Sequence, residues 1–174
     1  MKKGYVKLAM PNIQSDSIVD GEGIRSVIWF QGCIHNCPGC HNPETHDCNL
    51  GIEKSLDDIK KEMDELEFQS GITFSGGDPM MQPEALLELS KYTHQLGMNV
   101  WCYTGYTFEE LLKKAKEDSV FTEVLKEIDV LVDGRFVQKL KSFNVIFRGS
   151  TNQRIIDVKK SLESGKVVLI EKYI

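Results

Sequence analysis

Apolar and polar positions along this chain follow two periods that take turns. Residues 24–30 (Ile24 to Phe30) form a near-continuous apolar run of strand length, which predicts a buried strand. Residues 55–68 predict a helix with Leu56, Ile59, Met63 and Leu66 on one face, and Ser55 with Asp58 has the form of a capping box. A short strand at 71–75 is broken by Gly76-Gly77-Asp78-Pro79. Pro83 opens a second helix whose face is Leu86, Leu89, Thr93 and Leu96, and Gly97 ends it. The unit then recurs as a strand at 98–103, a Thr104-Gly105-Tyr106 turn, and a helix capped by Thr107 and Glu110 that bears Phe108, Leu111, Leu112 and Ala115. A short helix near 120–126 leads into a strand at 128–132. Further on, the pattern predicts strands around 143–148 and 166–170, with a short helix at 158–164 before Gly165. Residues 1–23 read as irregular and polar, with Asp20-Gly21-Glu22-Gly23 as a turn.

Strand and helix in alternation imply an α/β fold with a mostly parallel sheet and right-handed crossovers. At 174 residues the chain is read as one domain, 1–174. In such sheets the chemistry collects at the C-terminal ends of the strands. The unusual sequences all follow predicted strands: a cysteine run after the first, Ser75-Gly76-Gly77-Asp78-Pro79 after the second, Thr104-Gly105-Tyr106 after the third and Asp133-Gly134 after the fourth.

Composition narrows the setting. The chain is 41% hydrophobic and 27% charged, as in ordinary soluble proteins. No apolar run approaches the ~18 residues of a membrane span, and no apolar stretch follows Lys2 and Lys3 to suggest a secretory signal. Five cysteines, three of them clustered, point to a reducing cytoplasm and not to a disulfide framework. Net charge is −5 but uneven: −11 before residue 135 and +6 from there on. The acidic bulk and the lack of a reader motif argue against nucleic acid, and nothing suggests a membrane. The basic tail is expected to dock a partner, with Arg148, Arg154, Lys159 and Lys160 as candidate contacts, or else to be solvated surface.

Cys33, Cys37 and Cys40 form a C-x3-C-x2-C run. Three thiolates on a cubane iron–sulfur cluster leave one iron open, and an open position separates a catalytic metal site from a closed structural one. Two other readings exist at this point. Three cysteines and one of His35, His41 or His46 could hold structural zinc, and Cys37-x-x-Cys40 could be a thioredoxin-like redox pair. Cys48 and Cys102 are too few for a second cluster, so they are read as a loop residue and a small core hydrophobe. An external reductant is therefore expected.

The cysteine spacing resembles the signature of the radical S-adenosylmethionine (SAM) superfamily, and Ser75-Gly76-Gly77-Asp78-Pro79 resembles that superfamily's GGE element, with Asp78 where Glu is commoner. Asp20-Gly21-Glu22-Gly23-Ile24-Arg25, Gln31-Gly32-Cys33 and Cys37-Pro38-Gly39-Cys40-His41-Asn42-Pro43 resemble the glycyl-radical-enzyme activases. WCYTGY (101–106), DVLVDG (129–134) and RGSTNQR (148–154) narrow the resemblance to the activases of anaerobic ribonucleoside-triphosphate reductase, over about residues 16 to 170. Two positions depart from the common pattern. Gly39 stands where an aromatic often precedes the third cysteine, with His41 as the neighbouring ring, and His46 stands where Trp is expected.

The resemblance implies an incomplete (β/α) radical SAM barrel, since a full barrel takes ~250 residues. It implies a [4Fe-4S] cluster on Cys33, Cys37 and Cys40, and SAM held by Gly39, Cys40, His41, Gly76, Gly77, Asp78, Thr104 and Asp133, with Tyr106 and Arg148 as further candidates. It implies that an external one-electron reductant such as flavodoxin feeds the cluster, and that a 5′-deoxyadenosyl radical installs a glycyl radical on the reductase. A radical SAM enzyme acting on a small molecule, or a non-enzymatic zinc-binding interaction module, would share parts of the pattern.

Overall fold

In the computed structural model, which describes residues 2–174, the strands in chain order are β1 (Tyr5–Leu8), β2 (Gln14–Ser17), β3 (Arg25–Phe30), β4 (Ile52–Ser55), β5 (Gly71–Gly76), β6 (Asn99–Tyr103), β7 (Val130–Asp133) and β8 (Arg154–Asp157). The helices are α1 (Leu56–Asp64), α2 (Pro83–Gln95), α3 (Phe108–Glu117), α4 (Ser119–Glu127) and α5 (Val158–Ser164). The four apolar runs that predict strands become β3, β5, β6 and β7, which lie side by side and parallel. β1, β2 and β8 join them antiparallel, and β4 in turn joins β1 antiparallel. The order is β4-β1-β3-β5-β6-β7-β8, an open path, with β2 beside the first half of β3 on the side that β1 takes further along.

Strand alternation sends the two halves of each strand's side chains to different layers. Ile28, Phe30, Ile72, Phe74, Val100, Cys102 and Leu131 face the helices and form one buried core with Leu56, Ile59 and Met63 of α1, Leu86 and Leu89 of α2, Phe108 and Leu111 of α3, and Val124 and Leu125 of α4. On the opposite face Trp101, Val132 and Ile155 are covered by Phe147, Ile170 and Tyr173 from the C-terminal third. Helices thus cover one face, and loops and tail cover the other.

The helix starts follow their expected caps. Ser55 accepts from the Asp58 amide, Thr107 and Glu110 form a reciprocal capping box, and Pro83 stands at the first position of α2. Three expectations fail at ends and edges. The helix expected to reach 68 stops at Asp64, where Asp64, Glu65 and Glu67 crowd negative charge at the negative end of the dipole. Leu96, expected on the buried face of α2, lies past the helix end and is 37% exposed. Residues 1–23, expected to be irregular, contain β1 and β2, and β4 and β8 were also unforeseen.

The strands expected at 143–148 and 166–170 do not form. Phe147 takes a left-handed φ of 56°, outside the extended region of a regular strand, and Phe143 stays 91% exposed. Only single bridges, Lys141 to Ser150 and Ile156 to Leu169, mark these regions.

Arg25 locks the N-terminal ends of the parallel strands. Its side chain is fully buried with no carboxylate beside it, yet all five N–H donors have acceptors: Thr73 Oγ1 at 2.7 Å, Asn99 Oδ1 at 2.8 Å, and the carbonyls of Glu22, Ile72 and Asn99 at 3.1, 2.8 and 3.2 Å. Its guanidinium lies 5.3 Å from the Trp101 ring centroid. Burial pulls its pKa down to about 10, still far above neutrality, so it remains a cation. Removing it orphans buried acceptors on three elements. Arg25→Met is expected to cost about 3 kcal/mol of unfolding free energy in urea titration. Arg25→Lys should recover less than half of that, because an ammonium has three donors and no fork.

At the same end, His94 bridges Glu127 and Asp129 at 2.9 Å each, and Lys159 meets Asp129 at 2.7 Å. Burial opposes the imidazolium charge, but hydrogen bonds to the two carboxylates outweigh it and raise the pKa above the usual value. A raised folded-state pKa adds stability below the unfolded value, and that stability is lost as pH rises through the folded one. The melting-temperature gap between wild type and His94→Gln should therefore be largest below about pH 6.5 and shrink toward pH 8.5, read by thermal melts.

Candidate functional site

Because β3, β5, β6 and β7 run parallel, the loops that leave them emerge on one edge, where they enclose a cleft of about 390 Å³. Cys33, Cys37 and Cys40 line it from the loop after β3, Gly76 and Gly77 from β5 and the turn after it, Thr104 and Gly105 from the β6 loop, and Gly134 from the β7 loop. His41, Phe136, Arg148 and Gln153 complete much of the wall. Cys48 and Cys102 do not line it: Cys48 is exposed and Cys102 is fully buried in the core, where burial raises its thiol pKa well above the usual value.

Local chemistry explains the shape of the cysteine loop. Gly32, Asn36 and Gly39 take left-handed φ values of 103°, 46° and 74°. A bond from the Cys40 amide to the Cys37 carbonyl, 3.1 Å, closes a turn between two of the thiols. Upstream, the buried Gln31 amide donates to the carbonyls of Glu44 (3.2 Å) and Asp47 (2.9 Å), and the Gly32 and Cys33 amides donate to Thr45 and His46. The chain before and after the cysteines is thereby strapped together. Burial pushes the Cys33 thiol up to about 11 and the Cys37 thiol upward as well, so ligation of a metal would have to release their protons.

The glycine turn is packed against that loop. Gly77 donates to the Phe30 carbonyl and Asp78 to the Gly32 carbonyl, both at 2.8 Å. A Cβ at Gly77 would strike the Gly32 carbonyl, and one at Gly76 (φ 105°) would strike Phe30 backbone. These glycines are therefore required by backbone contact between two loops, whatever else the turn holds.

The expected SAM-side residues divide into two groups. Cys40, His41, Gly76, Gly77 and Thr104 line the cleft, and the His41 ring packs 5.0 Å from Phe136. Gly39, Asp78 and Asp133 do not line it. Gly39 turns the chain past Gln138, which a Cβ would crowd at 3.0 Å. Asp78 is fully buried and accepts from Thr104 Oγ1 (2.9 Å), the Gly105 amide (3.0 Å) and the Met80 amide (3.0 Å), and it faces His35 Nε2 at 2.7 Å. Asp133 accepts from the Phe108 amide at 2.7 Å, capping the region where α3 begins, and from Arg154 at 2.9 and 2.5 Å. Both carboxylates support the walls and do not face the cleft. Tyr106 is nearly buried and packs edge-on against His35 at 4.5 Å.

Phe136 is a wall residue outside every motif; Gln153 belongs to RGSTNQR but was not singled out there, and it is placed by bonds from the Gly149 amide (2.9 Å) and to the Gly134 carbonyl (3.0 Å). Arg148 was a candidate, and one feature distinguishes it. Its Nη atoms bond the Gln153 and Tyr173 carbonyls, but its buried Nε has no partner. An unpaired buried donor on a cleft wall fits an anionic ligand group there.

The basic tail does not act as one surface. Because β8 runs antiparallel to β7, Arg154 sits at the cleft end, bonded to Asp133 and Glu109. Lys159 and Lys160 lie at the far end, paired with Asp129 and Asp157. The expectation that these lysines dock a partner beside the active edge is corrected accordingly.

The three thiols are the metal donors the cleft gathers, although among the described residues no three Cys, His, Asp or Glu side chains already converge on one point. Of the candidate histidines, His35 faces Asp78 and Arg135, His41 faces Phe136, and His46 lines the cleft.

Comparisons with known proteins agree with this donor set. A family model described as a 4Fe-4S single cluster domain matches residues 19–156. An anaerobic ribonucleoside-triphosphate reductase-activating protein of Escherichia coli K12 is 37% identical over 145 residues, covering 78% of this chain and 90% of that protein. Proteins of the same name from Pasteurella multocida and Enterobacteria phage T4 are 34% and 31% identical, each over 79% of this chain and over 90% and 86% of their own lengths. With three thiols on one cleft, a fold that places them there, and similarity along most of its length, the chain belongs to the 4Fe-4S single cluster domain family and, within it, to the anaerobic ribonucleoside-triphosphate reductase-activating proteins.

Proposed function

We propose that this protein is a radical SAM activase that installs a glycyl radical on anaerobic ribonucleoside-triphosphate reductase. The observation that carries the reading is that three cysteines, without the other two, meet a glycine turn in one cleft at the C-terminal edge of parallel strands. In this reading the open sheet is an incomplete radical SAM barrel, its open side leaving room for a macromolecular substrate. The protein works in the cytoplasm and draws electrons from an external one-electron donor such as flavodoxin, because no further cysteines line the cleft.

When bound, the cluster would supply one-electron reduction and SAM the source of a 5′-deoxyadenosyl group able to take a Cα hydrogen atom from a reductase glycine, with methionine and 5′-deoxyadenosine as the products. The chain's residues would hold and shield. Cys33, Cys37 and Cys40 would give up their protons and ligate iron. Gly76, Gly77, Thr104 and His41 form the SAM side of the cleft, and Arg148 Nε offers its free donor to the SAM carboxylate. Phe136 and Phe147 contribute apolar wall that limits water.

Cys→Ala at 33, 37 or 40 should abolish the paramagnetic signal of the anaerobically reduced protein and its production of 5′-deoxyadenosine. Cys48→Ala and Cys102→Ala should keep both. Loss of the cluster in Cys48→Ala would overturn the three-ligand assignment. Production of 5′-deoxyadenosine in the presence of the reductase, without a protein-based radical, would point to a small-molecule substrate instead.

The reductase is read as docking over the cleft mouth. Val19 (70% exposed), Ile34 (59%) and Phe143 (91%) stand unprotected on segments that reach the cleft. Residues 135–156 contain Arg135, Lys139, Lys141, Arg148 and Arg154 and no acid, which suits an apolar segment flanked by carboxylates. Phe143→Asp with Lys139→Glu should slow glycyl-radical formation, most strongly at low salt, while SAM cleavage driven by a chemical reductant stays normal. Lys159→Glu with Lys160→Glu should leave radical formation unchanged. The reverse pattern would return the docking site to the tail.

A further inference from the structure

Residues 34–40 carry two of the three thiols yet have little to hold them. Among the described residues, their only backbone–backbone hydrogen bond is the local one from Cys40 to Cys37. Apart from amide contacts to sulfur, from His35 and Asn36 to Cys33 and from Phe136 to Cys37, the segment's hydrogen bonds to the rest of the protein run through the His35 ring. Nε2 lies 2.7 Å from Asp78 Oδ2, and Nδ1 accepts from Arg135 Nε at 3.2 Å. The donor on Nδ1 assigns a ring proton to Nε2, which donates to the carboxylate.

The ring is seated as well as bonded. The His35 side chain is 2% exposed and the Asp78 side chain 0%. The ring rests edge-on against Tyr106 and fills the space that any Cβ at Gly105 would need. Asp78 is itself fixed by Thr104, Gly105 and Met80, and its amide bonds the Gly32 carbonyl. One buried carboxylate therefore ties the cysteine loop, the glycine turn and the β6 loop together.

We propose that His35 is a positioning residue that sets the distance between the three thiols and the glycine turn through its Nε2–H bond to Asp78. This inference rests on the activase reading. Groups that orient metal ligands typically change metal retention or activity by about 10- to 100-fold when removed. Gln can present a donor close to where Nε2 stands, whereas Asn ends near Nδ1 and falls short of Asp78.

The test compares full-length wild type, His35→Gln and His35→Asn, each loaded with iron and sulfide anaerobically. Circular dichroism of the metal-free proteins confirms folding. Two readouts follow: the rate of iron loss to a chelator, and the change in the paramagnetic signal of the reduced protein when SAM is added. His35→Asn should lose iron roughly 10- to 100-fold faster and show a weakened response to SAM, and His35→Gln should recover much of both. Wild-type behaviour in His35→Asn, or equal damage in both variants, would overturn the proposal. Should His35→Asn fail to fold, Arg135→Ala takes its place. That side chain is at the surface, its loss should also speed iron release, and an unchanged rate would sink the idea. A wild-type protein that holds iron but ignores SAM would refute the activase reading, while the chelator comparison would still decide the role of His35.

Discussion

A carboxylate at 0% exposure, Asp78, is the constraint on which the cleft depends. A buried charge is costly unless hydrogen bonds replace its hydration. Here the replacements come from the Met80 amide, the Thr104 hydroxyl, the Gly105 amide and the His35 ring, on three separate loops. None of these loops can move away without leaving the charge short of a donor. The loops that carry the thiols and the glycine turn are therefore held by electrostatic need more than by regular structure.

The other end of the same strands carries the complementary device. Arg25, at the start of β3, reaches the carbonyls of Ile72 on β5 and Asn99 on β6 with a guanidinium whose donors are all satisfied. A buried cation fixes the N-terminal ends of the parallel strands, and a buried anion fixes the loops at their C-terminal ends. Between them lies an apolar core that has no direction of its own. The helices cover one face of that core, and the other face is left to the C-terminal third, whose Arg148 and Gln153 line the cleft. Fold and site thus share their supports.

Charge assignment changed most on moving from chain to structure. The excess of basic residues after position 134 reads as one patch in sequence. The antiparallel return of β8 splits it between the two ends of the sheet, and Lys159, Lys160 and Arg154 each find acids brought near by the fold. In the 143–148 segment, which looks like a strand, Phe143 and Ile146 are instead presented at the surface, while Phe147, with a left-handed backbone, packs on Trp101.

The sequence by itself determined what depends on near neighbours. The central strands and crossing helices were legible because apolar period, caps and glycine stops act within a few residues. The cysteine run was legible because its spacing is covalent, and its family resemblance because motifs are local strings. Tertiary structure alone decided what depends on distant partners. The four-residue strands β1, β2, β4 and β8 carry too short a pattern to announce themselves, and exist because a neighbouring edge offers hydrogen bonds. Asp78 and Asp133, which look in sequence like residues that meet a ligand, became internal braces once His35, 43 residues from Asp78, and Arg154, 21 residues from Asp133, were brought beside them. A chain shows which groups can ionise or donate; only the fold shows whether the nearest counterpart is a ligand, water or another part of the same protein.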